Sequence, residues 1–332
     1  MWNSIQCAVR GRSHVKSEIP CQDKTYYMNN NDIEVVALAD GAGSASLSHF
    51  GAEYATQRVC ELLSQQFEIY YGEEDGIAVK RAIIGKMLEG LEKMSDDMKC
   101  EIKELASTLL AVAVHDGKYI ILHIGDGVIG YVKDDKLKIA SYPVNGEFVN
   151  TTVFLTSENV LYNMKLMKGK LNGITGFVLM SDGTETSFYN KQERSLVPVL
   201  KKIMDLLPIV DSQSLQNEIE RSFETVVKQN TMDDCSLNIL VEENCMFQGY
   251  RKLDINQKKK LFGISDDSNY MKQIRRYDTI LEYIGIPKNI SQISKRTNLR
   301  KKCCRRYIET MQNRKLIVAE NGFFHRIIIM DK

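Results

Sequence analysis

Residues 109–127 read LLAVAVHDGKYIILHIGDG and hold the clearest structural pattern in the chain. Two runs rich in aliphatic and β-branched residues flank the pair Asp116-Gly117, a turn sequence typical of tight β-hairpins. The stretch therefore predicts antiparallel strands at 108–115 and 118–124. Strands joined by tight turns belong to antiparallel sheets, and long helices are then needed to cover an outer sheet face.

Further β-like runs and amphipathic segments continue this pattern through the first 245 residues. The other strand candidates lie at 4–9, 33–39, 128–133, 152–156, 175–180 and 236–241. The helix candidates lie at 48–67, 75–97, 191–206 and 212–228. We therefore expect an α+β fold in which helices cover antiparallel sheets.

The chain changes character after about residue 245. Residues 246–272 are polar, basic and poorly periodic, which is typical of a linker. Residues 273–332 predict a helix, a short helix capped by Asn289 or Ser291, a longer helix and a hairpin around Asn321-Gly322. This order of elements is that of a winged helix-turn-helix domain.

The two parts carry opposite charges, although the net charge of the whole chain is +1. Residues 1–245 hold 24 Lys and Arg against 35 Asp and Glu, whereas residues 246–332 hold 20 against 8. Such a split indicates two modules with different partners, or two halves that attract each other. The predicted domains are 1–245, a basic linker at 246–272, and 273–332.

Composition and segment lengths exclude several classes of protein. The longest apolar runs have about ten residues, which is too short to span a bilayer. The N-terminal segment lacks the basic and apolar regions of an export signal. The eight cysteines are scattered, with no CxxC pair, which favours reduced thiols. We therefore expect a cytoplasmic protein with no membrane partner.

Several aspartates lie at the ends of apolar runs, next to Gly or another Asp. They are Asp40 in VVALADGAGS, Asp126 in IILHIGDGVIG, Asp182 in GFVLMSDGTET, and Asp233 and Asp234 in TMDDCSLNIL. A single Asp-Gly pair is weak evidence, because it also forms hairpin turns, as expected at Asp116. Several such carboxylates converging in space would make an all-oxygen site for Mg²⁺ or Mn²⁺.

Six motifs occur in a recognisable order along the first part of the chain. They are PCQDK (20–24), ALADGAGS (37–44), ASTLLAVAV (106–114), HIGDGVIG (123–130), VLMSDGTE (178–185) and MDDCSL (232–237). In this order they resemble the metal-dependent type 2C Ser/Thr protein phosphatases, and most closely their compact bacterial branch. The resemblance implies two antiparallel β-sheets packed as a sandwich flanked by helices (αββα), with a two-metal site at one end.

The resemblance also implies roles for the acidic positions. Asp40 corresponds to the carboxylate that bridges both metals, and the carbonyl of Gly41 to a further ligand. Asp182 and Asp233 correspond to ligands of one metal on the opposite side. Asp126 corresponds to the position associated with a third, weaker metal, so two or three Mg²⁺ or Mn²⁺ ions are expected.

The first and last motifs depart from the family pattern in two places. Asp23 occupies the acidic position of the first motif, but Gln22 replaces the Glu that normally precedes it. An amide can hydrogen-bond a metal-bound water without adding charge, so metal affinity is expected to be lower. Asp234 stands where many members have Asn, which favours hydrogen bonding over metal ligation.

The residue that holds the substrate phosphate is also changed. Many members have an Arg five residues before the first-motif Asp, and that position here is Glu18. Arg12, His14 and Lys16 are the nearby candidates. His14 is preferred as a catalytic residue, although it can equally be a hydrogen-bonded loop histidine. Two other histidines, His49 and His123, are expected to be structural, the latter packed inside a strand.

The resemblance implies hydrolysis of phosphoserine and phosphothreonine in proteins by a metal-activated water. Two cations would lower the pKa of a bridging water and neutralise the phosphoryl oxygens. This chemistry needs no Cys or Ser nucleophile. The expected substrate is a phosphoprotein, as the target of a partner kinase. The alternatives are a DNA-binding regulator with a weakly active or sensory phosphatase-like domain, and a phosphatase that acts on a small metabolite.

Basic residues gather on the second and third predicted helices of the C-terminal part. The candidate nucleic-acid contacts are Lys295, Arg296, Arg300, Lys301 and Arg305. Winged-helix DNA binders place such a helix in the major groove, where basic side chains contact phosphates and base edges. Winged helices also dock proteins, so both DNA and a protein are candidate partners.

Overall fold

The computed structural model describes residues 2–143, 152–210, 212–242, 250–251, 253–265, 269–314 and 316–326. The chain divides into two compact units. The first unit contains residues 2–201 and 216–241, and the second contains residues 202–215 and 242–332.

Two five-stranded sheets form the centre of the first unit. One sheet has the spatial order β2 (Lys24–Asn30), β3 (Ile33–Ala39), β4 (Leu109–His115), β5 (Lys118–Ile124) and β8 (Lys165–Lys170). The other has the order β1 (Trp2–Val9), β12 (Cys235–Glu242), β9 (Ile174–Met180), β6 (Val128–Lys133) and β7 (Lys136–Ser141). Every pairing with a described register is antiparallel.

The two sheets pack face to face because successive side chains of a strand point to opposite sides. In β3, Val36 and Leu38 join a buried cluster with Phe177 and Leu179 of β9. The intervening residue Ala37 faces the other way, into a cluster with helical residues. One side of this sheet thus forms the sandwich core, and the other side supports a helical layer.

Helices flank the sheets of this unit. The longest are α2 (Ser48–Gly72) and α3 (Gly76–Met98), whose buried residues share the cluster on the outer face of β3 and β4. The shorter ones are α1 (Arg12–Lys16), α4 (Val160–Asn163) and α5 (Glu185–Phe188). Helix α6 (Pro198–Leu206) begins in this unit and α7 (Ser212–Thr225) ends in it. Gln216 of α7 donates its amide to the carbonyl of Gln6 in β1. Helices therefore contact both sheets.

The predicted hairpin is confirmed by the pairing of β4 with β5. Asp116 and Gly117 have φ of 41° and 70°, the left-handed backbone that a tight hairpin turn requires. The other strand predictions agree to within about two residues, except at 152–156. There the described residues form only an isolated bridge at Thr152, so that prediction is wrong.

Sequence patterns missed the strands β2, β7 and β8 because all three lie at sheet edges. Edge strands bury little of either face, so their residues are polar or partly exposed and lack a strong alternation. The helix predicted at 191–206 was also placed too early. It begins at Pro198, after a two-stranded ribbon of β10 (Tyr189–Asn190) and β11 (Ser195–Leu196).

In the second unit, four further helices and a small three-stranded sheet have bounds within the described residues. These elements are α8 (Ile255–Phe262), α9 (Tyr270–Tyr283), β13 (Lys288–Asn289), α10 (Ile290–Thr297), α11 (Lys301–Asn313), β14 (Ile317–Glu320) and β15 (Phe323–Arg326). Helix α8 lies within the stretch interpreted as a linker, and its last residues, Leu261 and Phe262, are buried. Asn289 is the cap of α10, with a reciprocal capping box to Gln292.

One hydrophobic cluster holds this unit together. Helix α11 contributes Cys304, Ile308 and Met311 to it, and Cys303 is exposed. Cys304, Ile308 and Met311 thus form the buried stripe of this helix. The cysteines in the described ranges are all free thiols, and Cys245 lies outside those ranges. Within the same ranges, no helix combines the length and apolar character needed to cross a membrane.

Candidate metal centre

Four of the predicted ligands lie at one end of the sandwich, where strands of both sheets begin or end. Asp23 immediately precedes β2, and Asp40 immediately follows β3. The register pairs Lys24 with Ala39, so the antiparallel ladder places these two carboxylates side by side. On the facing sheet Asp182 follows β9 and Asp233 precedes β12, whose residue Leu237 pairs with Met180.

The side chains of these aspartates interact directly. The carboxyl of Asp40 lies close enough to those of Asp23 and Asp182 for their charges to raise its pKa. Asp233 acts on the same group through its charge. The structure thus brings together the four residues that the sequence placed at the centre of the site.

Burial and mutual repulsion raise the pKa values of these carboxyls. Burial is the main cause for Asp23, whose pKa rises to about 7. The pKa of Asp182 rises to about 6 through burial and the charges of Asp126 and Asp233. The pKa of Asp40 lies well above its usual value because of burial and then the charges of its three neighbours. A cluster of this kind holds protons unless cations replace them.

The donor set fits a hard divalent cation. Oδ1 of Asp23 and Oδ1 of Asp182 are buried and accept no hydrogen bond from the described residues. Carboxylate oxygens left without donors are the ligands that Mg²⁺ and Mn²⁺ prefer. In the described ranges, no three Asp, Glu, His or Cys side chains already form a closed ligand group. The oxygens are therefore neighbours, not a finished coordination shell.

Hydroxyl groups that the sequence analysis did not identify hold two of the ligands in place. Ser181 donates its hydroxyl to Oδ2 of Asp23 at 2.7 Å, and the backbone N–H of Ser236 donates to Ser181 at 3.1 Å. Thr108 accepts the backbone N–H of Asp40 at 2.9 Å and donates its own N–H to the Asp40 carbonyl at 2.8 Å. These bonds tie both sheets to the site.

Gly41 is required by the start of helix α2. A Cβ built at this position would lie 2.8 Å from Oγ of Ser48 and 3.0 Å from its backbone carbon. The side chain of Gln22 also reaches Ser48, donating its amide to Oγ at 2.7 Å. Oε1 of Gln22 is buried and accepts no hydrogen bond from the described residues. The amide that replaces the expected Glu therefore retains one free acceptor.

Asp126 lies near the group but at its side. Its charge contributes to the raised pKa of Asp182, and its Oδ2 accepts the hydroxyl of Thr152 at 2.5 Å. This position agrees with a peripheral carboxylate. Glu185 also acts on Asp182 and pairs with Lys191 at 2.5 Å, two residues that the sequence analysis did not select. The motif SDGTE contained Glu185, but no sequence signal marked Lys191.

Asp234 is engaged by the chain itself. Its Oδ1 accepts the backbone N–H of Gly11 at 2.6 Å, and its Oδ2 accepts that of Gln22 at 2.5 Å. Nδ1 of His14 lies 2.9 Å from the same Oδ1. The side chain is 1% exposed, so these contacts account for both oxygens. Asp234 therefore hydrogen-bonds to the N-terminal segment, as its position in the last motif suggested.

His14 lies on α1, which is held against the segment before β12. Ser13 donates its hydroxyl to the carbonyl of Met232 at 2.6 Å, and Arg12 donates Nε to that of Thr231 at 3.0 Å. Lys16 is exposed and Glu18 has a φ of 59°. Of the three candidates for binding phosphate, His14 is the one whose ring lies next to the buried carboxylate of Asp234.

The prediction that His123 is a structural residue packed inside a strand is confirmed, because it is buried in β5. Its ring nitrogens contact Oγ of Ser141 at 2.5 Å and the carbonyl of Gly125 at 2.9 Å. Burial and the charge of Lys165 lower its pKa to about 3, so it stays neutral. It supports the strand that leads to Asp126 and takes no part in proton transfer.

Comparisons with known proteins agree on this part of the chain. The family model described as Protein phosphatase 2C matches residues 10–224. Serine/threonine-protein phosphatase 3 of Escherichia coli strain K12 is 23% identical over 254 residues, covering 71% of this chain and 96% of that protein. Residues 10–224, which the family model matches, include Asp23, Asp40, Asp126 and Asp182.

Solved structures show the same fold. A bacterial serine phosphatase superposes with a TM-score of 0.53 at 12% identity, covering 73% of this chain and 98% of its own. The serine/threonine phosphatase Stp1 from Staphylococcus aureus superposes with a TM-score of 0.51 at 13% identity, covering 73% and 95%. At these identities the likeness concerns the fold alone.

Proposed function

Because this chain belongs to the protein phosphatase 2C family and is a serine/threonine protein phosphatase, we propose that it works with two Mg²⁺ or Mn²⁺ ions held at the sandwich end. Its substrates are then proteins that a partner kinase has phosphorylated on serine or threonine. The observation that carries this proposal is the convergence of Asp23, Asp40, Asp182 and Asp233 on one another.

In this proposal the ligands are divided by position. Asp40, which lies beside Asp23 and Asp182, would hold the metal ions together with the Gly41 carbonyl. Asp182 and Asp233 would bind from the facing sheet, and Asp126 would serve a third, weaker position. When bound, such ions polarise water and neutralise the phosphoryl oxygens of a phosphate ester.

The chain supplies the remaining groups itself. His14 is the group we assign to the substrate phosphate or to the departing seryl oxygen. Nδ1 of His14 lies 2.9 Å from the buried carboxylate of Asp234 but makes no hydrogen bond to the described residues. Gly11 and Gln22 hold that carboxylate through their backbone N–H groups.

The test is hydrolysis of a phosphothreonine peptide in the presence of Mn²⁺, Mg²⁺ or EDTA. We expect phosphate release with either metal, none with EDTA, and none from Asp182→Asn. His14→Ala should retain metal dependence but turn over roughly a hundredfold more slowly, the usual range for loss of a positioned proton donor. Release that continues in EDTA would remove the metal centre from the proposal.

We further propose that residues 273–332 are a winged helix-turn-helix domain that directs the enzyme to DNA, within a chain organised as 1–245, 246–272 and 273–332. The support is the succession α9, α10 and α11 followed by the β14–β15 hairpin. The candidate contacts are all exposed: Lys295, Arg296, Arg300, Lys301 and Arg305. Binding through phosphates predicts a duplex affinity that falls steeply between low and moderate salt. A flat salt response would favour protein docking.

A further inference from the structure

A cavity of about 900 Å³ is lined by residues of the second unit alone. It is formed by the end of α9, the turn after it, α10, β15 and the residues around α8. Its size is in the range of small-molecule sites. More basic than acidic residues line it. The basic residues are Arg251, Lys258, Lys288, Arg296 and Arg326, and the acidic residues are Asp278 and Glu282.

The two acidic residues are already engaged on one side of the cavity. Asp278 accepts Nζ of Lys258 at 2.7 Å and the hydroxyl of Tyr250 at 2.6 Å. Glu282 lies 3.9 Å from Arg251. Among the described lining residues, cations therefore outnumber carboxylates around the cavity, and Lys288 and Arg296 have no carboxylate within 4.0 Å.

These two cations are held by an aromatic ring. Nζ of Lys288 lies 5.4 Å from the centroid of the Tyr283 ring, and Cζ of Arg296 lies 5.9 Å from it. A cation over an aromatic face is attracted to the ring quadrupole, which limits the freedom of both side chains. Two positive groups from different elements, β13 and α10, are thus directed to one place.

The guanidinium of Arg326 is fixed by backbone contacts. Its Nη1 donates to the carbonyl of Leu281 at 3.3 Å, and its backbone N–H donates to that of Ile284 at 3.1 Å. A Cβ at Gly285 would lie 2.9 Å from Nη2 and 3.1 Å from Cζ, so an alanine there would displace the guanidinium from this position. A third cation is therefore placed before any ligand arrives.

We propose that this cavity binds a small molecule that carries a diphosphate or triphosphate group, such as free pyrophosphate or a nucleotide. Three preplaced cations suit several phosphate oxygens, because planar guanidinium groups pair with them through two parallel hydrogen bonds. Preorganisation lowers the cost of ordering long side chains on binding. The faces of Tyr283 are occupied by cations, so recognition of a base by stacking is not part of the proposal.

The experiment is calorimetric titration of the full-length, metal-free protein in EDTA with inorganic pyrophosphate, ATP and adenosine. Without metal, the carboxylate cluster repels anions and does not compete. We expect one site per chain for pyrophosphate and ATP and no heat from adenosine. Binding by ATP alone would identify a nucleotide as the ligand, and equal binding would identify the diphosphate group as sufficient.

Matched variants separate the cavity from the general basicity of the unit. Lys288→Ala and Arg296→Ala should each weaken binding about tenfold, the loss expected of one charge-assisted contact. Gly285→Ala should weaken it independently by displacing Arg326. Lys301→Ala and Arg305→Ala remove the same charge from exposed positions of α11 that do not line the cavity, and should leave affinity unchanged.

Three results would overturn the proposal. One is the absence of binding at millimolar ligand, and another is a stoichiometry well above one. The third is an equal loss in the α11 variants, which would show general attraction to a basic surface. A titration with duplex DNA tests whether the cavity is instead part of a DNA interface. If Arg296→Ala weakens DNA binding while pyrophosphate does not bind, the cavity belongs to the DNA interface.

Discussion

The carboxylates of the first unit and the cations of the second illustrate two uses of surplus charge. Asp23, Asp40 and Asp182 approach one another so closely that their pKa values rise. Lys295, Lys301 and Arg305, by contrast, are exposed to solvent on α10 and α11. Crowded charges of one sign cost stability until a ligand of opposite sign arrives, whereas separated exposed charges cost little.

This difference between crowded and exposed charges indicates which residues are expected to bind a ligand. A repulsive cluster persists only if something outside the chain balances it, so the carboxylates point to cations. The α10 and α11 cations impose no such demand and leave DNA and protein as alternative partners. The cavity beside Tyr283 lies between these cases, since its cations converge but remain partly solvated.

The largest effect is expected from Asp40→Asn. Turnover should fall roughly a thousandfold or more, since a metal centre supplies several kcal/mol of transition-state stabilisation. The metal-free variant should unfold at a higher temperature than the wild type, because an amide is not repelled by three carboxylates. Phosphopeptide kinetics and thermal melting in EDTA measure both effects.

Asp116→Asn is the matched control for this variant, because Asp116 also precedes a glycine but lies in the β4–β5 hairpin turn. Its activity should equal that of the wild type. If both variants lose activity alike, the comparison between crowded and solitary aspartates fails.

Metal should stabilise the wild type next most strongly. At a hundredfold excess over its dissociation constant, Mn²⁺ should add about 2.7 kcal/mol to the free energy of unfolding. Asp40→Asn should show little of this gain, and Asp116→Asn all of it. Denaturant unfolding with and without Mn²⁺ gives the values, and an equal gain in all three proteins would place the ion elsewhere.

A smaller effect concerns acid stability and His123. Its pKa is lowered to about 3 in the fold, against 6.5 for an ordinary histidine. The unfolded chain therefore binds a proton that the native chain refuses, and stability falls as pH drops from 6.5 towards 3. The slope attributable to this residue is about 1.4 kcal/mol per pH unit at most.

His123→Gln isolates that contribution, since the carboxylate cluster titrates alike in both proteins. The difference in unfolding free energy between wild type and variant should narrow as pH falls from 7 to 4. A difference that stays constant with pH would show that His123 accepts a proton without unfolding.

The smallest effect on stability is expected from Lys301→Ala combined with Arg305→Ala. Both side chains are exposed, so the free energy of unfolding should change by less than about 0.5 kcal/mol. Duplex affinity measured by fluorescence anisotropy should nevertheless fall, and its salt dependence should weaken by roughly two phosphate contacts. A large loss of stability would mean that these cations are part of the fold.

Several features were predictable because they depend on neighbouring residues. The β4–β5 hairpin follows from Asp116-Gly117 between two β-rich runs, and the cap of α10 from Asn289 followed three residues later by Gln292. Edge strands β2, β7 and β8 were missed because partial exposure removes the alternation that reveals a strand. Cys304 faces the core and its neighbour Cys303 is exposed, because successive residues of a helix are turned by about 100°.

The sequence by itself determined which chemistry was available, since aspartates at strand ends next to glycine supply hard oxygen ligands in a backbone that can turn sharply. Only the tertiary structure decided which of them meet. Ser181 reaches Asp23 across 158 positions of the chain, and Asp234 reaches Gly11 across 223. Such contacts depend on the register of two sheets and on the packing between them, and no local pattern encodes either. The same holds for Lys288, Arg296 and Arg326, which are ordinary basic residues until the fold places them around one cavity.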